Sequence, residues 1–428
     1  MRRRLTQPFY GWWIVGAAIV LQALPTALMG QAFGSYVVLL ERDFGWSRTT
    51  LSGAFSAIRL EEGLLGPAQG WMLDRFGPRA VMRAGVAVFA AGFFVFARVD
   101  SVFQFYAAAL ILAIGASLAG FLSVTTAIVN WFERKRSLAM GIALLGTAVG
   151  GLLVPFVVMG MEAWGWRAMA NISGLIVLLV GFPTVQVVRH RPEQYGMLPD
   201  GRVAVEPDGP STDRIVGRPM PADDEEISLT TRQAIRTRAF WYISLAHTAS
   251  VLVVSVVMAH FVLYATTTLG YTLAQAALFG VMQQVTNFAG RPLGGWMADR
   301  TSSRLVTIVA MLGHMVALLL LAFATSTWMV GAFALLNGLA WGARVPVVVS
   351  MRAEYFGSRS FGAIMGISSL VVTLGGVVAP IAAGLAYDAT GTYTVAFAIL
   401  AVLSGLGCIF LFLLPPPQTP AQRRTPVA

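Results

Sequence analysis

The chain has 428 residues, of which 57% are hydrophobic and only 12% are charged. The hydrophobic residues are concentrated in runs of about 18 to 25 residues, the length of helix that crosses a hydrocarbon core roughly 30 Å thick. This composition excludes a soluble globular protein and indicates an all-α integral membrane protein with many spans.

The net charge of +10 is an excess that nucleic-acid-binding proteins also show. Here, however, most of the 30 Lys and Arg residues fall in the termini and in loops on one side of the apolar runs, as in the cluster Arg134, Lys135 and Arg136. This is the positive-inside pattern. It predicts a multi-pass protein of the cell (inner) membrane, embedded in the lipid bilayer, with both termini in the cytoplasm and no nucleic-acid partner.

Twelve apolar runs are predicted to be transmembrane helices, six on each side of a polar stretch. They cover approximately residues 11–38, 51–73, 81–98, 103–128, 137–160, 168–188, 239–263, 272–297, 304–324, 327–350, 361–386 and 392–414. The predicted domains are a first half of residues 1–188, a proline-interrupted cytoplasmic linker of residues 189–238, and a second half with a short cytoplasmic tail, residues 239–428.

Charged and polar residues in the first two predicted spans are candidates for a site, because a charge inside the bilayer costs several kcal/mol unless it is paired or solvated. Arg59 and Glu62 lie three residues apart on one helix face, so Arg59 is either the partner of Glu62 or a substrate-binding residue. Glu61 points about 100° away from Glu62, so one acid lacks that partner. Glu61 or Glu62 is therefore predicted to carry a proton. Gln31 and Tyr36 are predicted to line a cavity or to form interhelical hydrogen bonds.

The two halves repeat each other at a fixed offset of 225 residues. The repeated residues are Gly70-Trp71-Met72 with Asp74-Arg75, which recur as Gly295-Trp296-Met297 with Asp299-Arg300, and Met140-Gly141-Ile142, which recurs as Met365-Gly366-Ile367. A duplicated membrane bundle is typical of secondary transporters, which bind one substrate where the repeats meet near the middle of the bilayer.

The second half contains no Asp or Glu well inside a predicted span, which leaves Arg291 and Arg344 without local acids. The five embedded charges of the whole chain thus include one unmatched positive charge, which an anionic substrate would neutralise. The planar fork of arginine suits a carboxylate. Asn287, one turn before Arg291, is predicted to orient Arg291 or to bind the substrate. The alternative for either arginine is a structural anchor that extends toward the membrane surface.

The loop after the second predicted span resembles a known signature. Gly70, Asp74, Arg75, Gly77 and Arg79 resemble the G-x-x-x-D-R-x-G-x-R signature of the major facilitator superfamily, and the segment that ends in Asp299 and Arg300 is its degenerate second copy. The resemblance implies twelve transmembrane helices in two pseudo-symmetric six-helix halves. It also implies that Asp74 docks against the start of the eleventh span, where these signature residues form a gate between the halves.

A narrower resemblance concerns three further segments. Phe9-Tyr10-Gly11-Trp12-Trp13, Asn130-Trp131-Phe132 followed by Arg134-Lys135-Arg136, and Asn287 to Pro292 resemble the monocarboxylate porter and oxalate:formate antiporter branch. That branch carries an acid, three residues and then Arg-Pro in its eighth span. Here Arg291-Pro292 matches, whereas Asn287 stands at the acid position. Eukaryotic members carry a lysine in the first span, where Gln31 is the nearest position in this chain.

The sequence therefore predicts a monomeric secondary transporter that moves a small organic anion, a monocarboxylate by the branch it resembles, with a proton or in exchange for a counter-anion. Efflux of amphipathic compounds is an alternative that a large aromatic cavity would favour, and a non-transporting membrane ligand sensor is another. No enzyme activity is predicted, because no paired catalytic constellation or phosphate loop occurs. With Cys408 as its single cysteine, the chain is expected to need no metal or cofactor.

Overall fold

The structure is a computed structural model that describes residues 9–201 and 229–416, without the side chains of residues 48, 49, 52, 55, 56, 59, 201, 273 and 274. In this part of the chain, ten helical segments are long and apolar enough to cross a membrane. Two further helices, of 29 and 28 residues, are more polar than these ten and complete the set of twelve. Spans 1 to 6 are Gly11–Phe44, Arg48–Phe76, Pro78–Phe96, Val102–Trp131, Arg136–Trp164 and Trp166–Val187. Spans 7 to 12 are Arg238–Thr267, Leu273–Arg300, Ser303–Ala322, Thr327–Phe356, Phe361–Thr390 and Thr394–Phe412. The predicted all-α fold is confirmed.

The offset of 225 residues runs through both halves. Span 10, Thr327–Phe356, repeats span 4, Val102–Trp131, from its first residue to its last. The caps repeat as well, because Ser47 begins span 2 and Thr272, at the same offset, begins span 8, each by accepting a backbone N–H bond. Residues within the repeated spans of the first half therefore have counterparts 225 positions later.

Span 1 is longer than its apolar run, which was predicted to end at residue 38. The helix continues to Phe44 and ends at Gly45, whose φ of 66° places it in the left-handed region that favours glycine. The span is also interrupted by a π-helical turn, Thr26–Gly30, directly after Pro25. Span 5 breaks between Ala143 and Gly146. Local backbone chemistry, rather than hydrophobicity, thus sets these helix boundaries.

The halves make their most extensive contacts at two helix crossings, span 2 with span 11 and span 8 with span 5. Glycines allow the backbones to approach closely at both crossings. A Cβ on Gly366 would overlap the Gly66 carbonyl, and a Cβ on Gly141 would overlap the Arg291 carbonyl. The halves therefore meet backbone to backbone.

The described ends of the chain lie at one end of the bundle. The Tyr10 hydroxyl donates to the Val187 carbonyl (2.8 Å), and the Tyr355 hydroxyl donates to the Pro415 carbonyl (2.8 Å). Val187 is the last residue of span 6, and Tyr355 lies at the end of span 10, so both spans end here. We call this end of the bundle, which carries Tyr10, Val187 and Pro415, the linker face. Its predicted cytoplasmic location stays a prediction.

The start of the predicted linker packs onto the linker face. The carboxylate Oδ2 of Asp200 accepts the backbone N–H groups of Glu133 (3.1 Å) and Arg134 (2.7 Å). The indole N–H of Trp131 donates to the Arg189 carbonyl (3.0 Å). Residues 189–201 thereby cover the loop between spans 4 and 5. The rest of the predicted linker up to residue 228 lies outside the described residues.

Candidate substrate site and gate

A cavity of about 670 Å³ lies between the two halves. Spans 1 and 5 form one wall, and spans 7, 8 and 10 form the other. Its lining includes Gln31, Phe261, Gln283, Gln284, Phe288 and Trp341. A cavity of this volume matches those that hold drug-sized ligands. It also lies where transporters with duplicated halves bind their substrates.

Gln31 lies in the cavity wall, where the π turn of span 1 ends. Its backbone N–H donates to the Thr26 carbonyl (2.9 Å) and closes that wide turn. Such turns are frequent at functional sites because they rotate the following residues about the helix axis. Gly151 of span 5 leaves room for the Gln31 amide, since a Cβ there would lie 3.0 Å from Oε1. Gln31 is thus a polar group presented to the cavity.

Tyr36 does not line the cavity. It is 3% exposed, and its ring meets Phe96 edge-on with 5.1 Å between the ring centroids. Tyr36 was predicted to line a cavity or to form an interhelical hydrogen bond. In the described residues it packs inside the first half instead, and its buried hydroxyl has no hydrogen-bond partner.

Arg291 connects span 8 to span 5 at the cavity. Its Nη1 donates to the Leu144 carbonyl and to the Thr147 hydroxyl, the latter at 2.5 Å. Its Nε is buried without a hydrogen-bond partner. The guanidinium carbon lies 5.3 Å from the ring centroid of Phe288, a cavity residue. The Arg291 side chain therefore lies at the interface between the two halves, which we call the seam.

The Leu144 carbonyl is available because span 5 breaks there. In a regular helix it would accept the N–H of Ala148, but that N–H donates to Leu145 instead (2.9 Å). The backbone N–H of Thr147 (3.3 Å), the hydroxyl of Thr147 and the guanidinium of Arg291 donate to the Leu144 carbonyl instead. The interruption of span 5 thus creates a backbone acceptor for a side chain of the other half.

The internal repeat shows that the Arg291 side chain is an addition to the fold. Its counterpart in span 2 is Gly66, which makes the equivalent crossing with Gly366. Asn287 likewise has Glu62 as its counterpart. Because the crossing between spans 2 and 11 forms without a side chain at this position, packing alone does not require Arg291.

Asn287 is fully buried beside the cavity wall. It is 1% exposed, and neither its Oδ1 nor its Nδ2 has a hydrogen-bond partner. Its backbone carbonyl lies against Gly342, where a Cβ would overlap it. No hydrogen bond joins it to Arg291 among the described residues, so the predicted orienting role has no contact that supports it in this conformation.

Arg344 lies behind the cavity wall. It is 1% exposed and is absent from the residues that line the cavity, although Trp341, one turn earlier, is among them. Two of its guanidinium nitrogens, Nε and Nη1, have no hydrogen-bond partner. The prediction that Arg344 contacts the substrate in the cavity is therefore not supported, because its side chain is enclosed within the second half.

The acids of span 2 differ in their surroundings. Glu61 accepts a hydrogen bond from the Ser117 hydroxyl (3.2 Å), while its other oxygen, Oε1, is buried without a partner. Glu62 is exposed. The side chain of Arg59 lies outside the described residues, so the predicted pairing with Glu62 and the predicted role in substrate binding both stay predictions.

Asp74 caps the first turn of span 11. Its Oδ1 accepts the backbone N–H of Gly362, and its Oδ2 accepts that of Ala363, both at 2.9 Å. Helix N-termini favour carboxylates because their N–H groups lack partners within the helix. Gly70 brings the two spans together, since a Cβ there would overlap the Gly362 carbonyl.

Asp299 makes the equivalent contact in the opposite direction. Its two oxygens accept the backbone N–H groups of Ser137 (3.0 Å) and Leu138 (2.9 Å) at the start of span 5. Gly295 provides the close approach, because a Cβ there would overlap the Ser137 carbonyl. The linker face is thus closed by two carboxylates, one from each half.

The arginines of the signature make contacts within their own halves. Arg75 lies over Trp71, Arg79 donates to Gln186, and Arg300 lies over Trp296. Among the contacts of these residues that the structure describes, only those of the carboxylates and glycines cross between the halves. A gating role is predicted for six residues, and it stays a proposal for Gly70, Asp74, Arg75, Arg79, Asp299 and Arg300.

Sequence reasoning missed Leu144 and Thr147, the partners of Arg291. A backbone carbonyl gives no signal of its own in a sequence. The stretch from Gly141 to Gly151 is rich in glycine, which indicates close packing of neighbouring helices. Its combination of glycines with a single threonine could have indicated a helix break with free acceptors.

Comparison with known proteins identifies the family. The model of the Major Facilitator Superfamily matches residues 19–282 and 243–427. Monocarboxylate transporter 13 of Bos taurus is 22% identical over 94% of this chain and 88% of that protein. The oxalate:formate antiporter of Oxalobacter formigenes is 27% identical over 40% of this chain and 42% of that protein. The crystal structure of FucP in the outward conformation has a TM-score of 0.71 at 16% identity, and the match covers 95% of this chain and 98% of that one.

These relatives include both transporter types that the sequence resembles, and they confirm that resemblance. The family model covers most of the chain, from the middle of span 1 through span 12. The chain therefore belongs to the Major Facilitator Superfamily, as a multi-pass membrane transporter and not an enzyme.

Proposed function

We propose that this transporter moves an organic anion through the central cavity by alternating access, and that Arg291 binds the anion's carboxylate. The observation that carries the proposal is the place of Arg291. Its guanidinium lies at the seam between the halves beside the cavity, and no acidic side chain pairs with it in the described part of the chain. A guanidinium inside the membrane is costly without a counter-charge, so an anion is stabilised there.

The cavity lining defines the rest of the substrate. Aromatic side chains such as Phe261 and Trp341 alternate with three glutamine amides, Gln31, Gln283 and Gln284. An apolar wall binds an apolar body, and a few amides orient a polar end. A monocarboxylate with an apolar body fits both features. The names of two relatives, a monocarboxylate transporter and an oxalate:formate antiporter, support the carboxylate class.

Substrate binding would compete with the contact between the halves. Arg291 now donates to two neutral acceptors, the Leu144 carbonyl and the Thr147 hydroxyl. A carboxylate offers two charged acceptors to the same fork and forms stronger hydrogen bonds. An anion that binds the Arg291 guanidinium would therefore break its hydrogen bonds to span 5 and so release span 5 from span 8. This exchange lowers the free-energy cost of separating the halves at the linker face.

The coupling partner is a proton or a counter-anion. Glu61 supports the proton, because one of its carboxyl oxygens is buried without a partner while the other accepts from Ser117. A protonated carboxyl would supply its own donor at that oxygen. We therefore place proton coupling at Glu61 before Glu62, which is exposed.

Transport in proteoliposomes tests this proposal. The purified protein should take up labelled monocarboxylates, for example benzoate or lactate, with an inward proton gradient or with anion on the opposite side. The matched neutral amides, benzamide and lactamide, should not be transported, because they lack the charge that Arg291 requires. Equal transport of acid and amide would contradict the proposal.

Efflux of amphipathic compounds is the second candidate. The size of the cavity, about 670 Å³, and its aromatic residues Phe261, Phe288 and Trp341 favour it. The same assay separates the two functions. An efflux pump of this kind would move the neutral amide and larger amphipathic dyes at least as fast as the carboxylate, and Arg291→Ala would then have little effect.

The setting of the transporter is part of the proposal. We place it in the cell (inner) membrane as a monomer, with the linker face in the cytoplasm. The support is the excess of Lys and Arg at this face, together with the location of both described ends there.

A further inference from the structure

We propose that the second half holds one small monovalent anion at Arg344, inside the helix bundle and separate from the central cavity. The ligand class is a halide or the smallest oxyanions and carboxylates, such as nitrate and formate. This inference is independent of the proposed transport function, because Arg344 does not line the cavity where the substrate would bind.

The first observation is an arginine with unused donors in the middle of the membrane. Arg344 is 1% exposed, and its Nε and Nη1 lack hydrogen-bond partners. It lies twelve residues before the end of span 10 at Phe356, about 18 Å along the helix. A guanidinium stays charged even when it is buried. The donors therefore require acceptors that the described side chains do not supply.

A second group of unpartnered atoms lies on the same helix face. Asn337 is two turns before Arg344, and side chains on a helix lean toward its N-terminus, so Arg344 extends in the direction of Asn337. The Asn337 Oδ1 and the His314 Nδ1 are 2.7 Å apart. The remaining Asn337 Nδ2 and His314 Nε2 are buried without partners. Both residues have 0% exposure.

The charge around this position is positive. Arg344 acts electrostatically on His314, His247 and Arg352, so it lies near all three. Arg352 is also a buried guanidinium, 2% exposed, but its donors have acceptors, with Ser368 at 2.8 Å and His247 at 2.9 Å. Two buried guanidinium groups thus belong to residues about 12 Å apart along span 10, and only Arg352 has hydrogen-bond acceptors for its donors.

The acids of the second half do not compensate these charges. Its described residues include three, Asp299, Glu354 and Asp388. Asp299 binds the start of span 5, and Glu354 accepts from the Ser303 hydroxyl. No described salt bridge or electrostatic contact connects any of the three with Arg344. Burying charge without compensation is unfavourable, and a bound anion would remove that cost.

The first half shows that the fold does not need this polar group. The counterparts of Arg344, Asn337 and His314, 225 residues earlier, are Ala119, Leu112 and Phe89. These three are buried among apolar residues at the equivalent place in spans 3 and 4. The same helix arrangement therefore packs with an apolar interior, and the polar group in the second half serves another purpose.

The chemistry of the unused atoms selects the ligand. Three of the four unused atoms, Nε and Nη1 of Arg344 and Nδ2 of Asn337, are donors only, whereas His314 Nε2 is an acceptor when Nδ1 carries the proton that bonds to Asn337. A ligand that accepts several N–H bonds and cancels positive charge is an anion. The side chains that surround it are almost completely buried, which restricts it to a few atoms. Chloride, nitrate and formate are all small anions that accept N–H bonds. Chloride and nitrate are inorganic ions, whereas formate is a carboxylate.

Equilibrium dialysis with radioactive chloride tests the site. The full-length protein, purified in detergent and washed into sodium gluconate, should bind one chloride per chain with saturation, and chloride should raise its melting temperature where equal gluconate does not. Arg344→Gln should weaken chloride binding at least tenfold and abolish the shift in melting temperature. Arg304→Gln, at the start of span 9, is the control and should bind chloride within twofold of wild type.

Competition identifies the source of the anion. Displacement of the label by nitrate at lower concentration than by formate assigns the site to inorganic ions, and the reverse order assigns it to carboxylates. If Arg344→Gln does not fold, Asn337→Leu takes its place, because leucine is the residue of the first half, and it should weaken binding at least threefold. Absence of saturable binding by wild type overturns the inference. So does chloride binding that folded Arg344→Gln or Asn337→Leu retains within twofold of wild type.

Discussion

Asp74 and Asp299 make the same contact in opposite directions across the seam between the halves. Each carboxylate accepts two backbone N–H bonds of 2.9 to 3.0 Å from the first turn of a helix in the other half. The positive ends of spans 11 and 5 thus each hold a carboxylate at the linker face. Because the two contacts are related by the internal repeat, the closed linker face is a pseudo-symmetric latch.

The first prediction concerns Asp74→Ala. The substitution removes two charge-assisted hydrogen bonds from the closed state, about 2 kcal/mol, which shifts the conformational equilibrium roughly 30-fold toward an open linker face. Transport should fall far more than substrate affinity, since the cavity is untouched. Affinity and uptake are measured on the same preparation.

Asp299→Ala is the matched variant on the other side of the latch. It should shift the equilibrium in the same direction and by a similar factor, and labelling of a cysteine placed at the linker face should report both shifts. Equal losses of binding and transport, or no loss of either, would contradict the latch.

The second prediction concerns the glycines at the crossing of spans 2 and 11. Gly366→Ala places a Cβ against the Gly66 carbonyl, a backbone atom that cannot move aside, so the halves should separate at the linker face. Transport should be lost while the protein stays folded. Gly384→Ala in the same helix is the control, because its Cβ would meet only His260, at 3.9 Å. Equal activity of both variants would disprove the steric requirement.

The latch could be predicted from the sequence because its signals are local. Asp74 and Asp299 stand in repeated segments with glycines at fixed spacing, and the resemblance to the superfamily assigned Asp74 to span 11. The repeat then places the partner of Asp299 at span 5. The pairing follows from short motifs and one offset, without knowledge of how individual helices rotate.

The orientation of isolated polar residues could not be predicted in the same way. Tyr36 and Arg344 lie in helices that are apolar on most sides, so no amphipathic stripe indicates which face turns inward. The π turn before Gln31 further rotates the face of span 1. For Arg291, the sequence indicated an unmatched charge but not its partner. That partner is the backbone carbonyl of Leu144, which can accept from Arg291 because span 5 breaks there.

The third prediction concerns coupling through Glu61. Glu61→Gln keeps the hydrogen bond with Ser117 and removes the titrating proton, so uptake should lose its dependence on the proton gradient while exchange at equal pH continues. Glu62→Gln serves as the comparison and should keep the gradient dependence. The initial rate of uptake at several external pH values measures both. A gradient dependence that survives in Glu61→Gln excludes Glu61 as the carrier.

The fourth prediction concerns topology. Single cysteines introduced at Tyr10, Tyr195 and Pro415, all on the linker face, should react with a membrane-impermeant thiol reagent only after the cells are opened, in a background where Cys408 is replaced by serine. A cysteine at Asp388, near the other end of span 11, should react in intact cells. Labelling of the Tyr195 position from outside would reverse the proposed orientation.

The last prediction concerns Arg291 and decides between a substrate ligand and a structural link. Arg291→Lys keeps the charge but loses the bidentate fork, so carboxylate affinity should fall, and Arg291→Ala should abolish binding. Thr147→Val is the matched control, because it removes one of the neutral acceptors of Arg291 and leaves the guanidinium in place. If Arg291 chiefly binds substrate, Thr147→Val should leave the affinity unchanged or raise it, since the carboxylate then competes with one acceptor fewer.

Folded yield and monodispersity are measured with each variant, because loss of Arg291 also removes its hydrogen bonds to Leu144 and Thr147 of span 5. Binding of a transported monocarboxylate is then compared with wild type. An affinity of Arg291→Ala within about twofold of wild type, a loss below roughly 0.4 kcal/mol, would show that the arginine joins span 8 to span 5 and does not bind the anion.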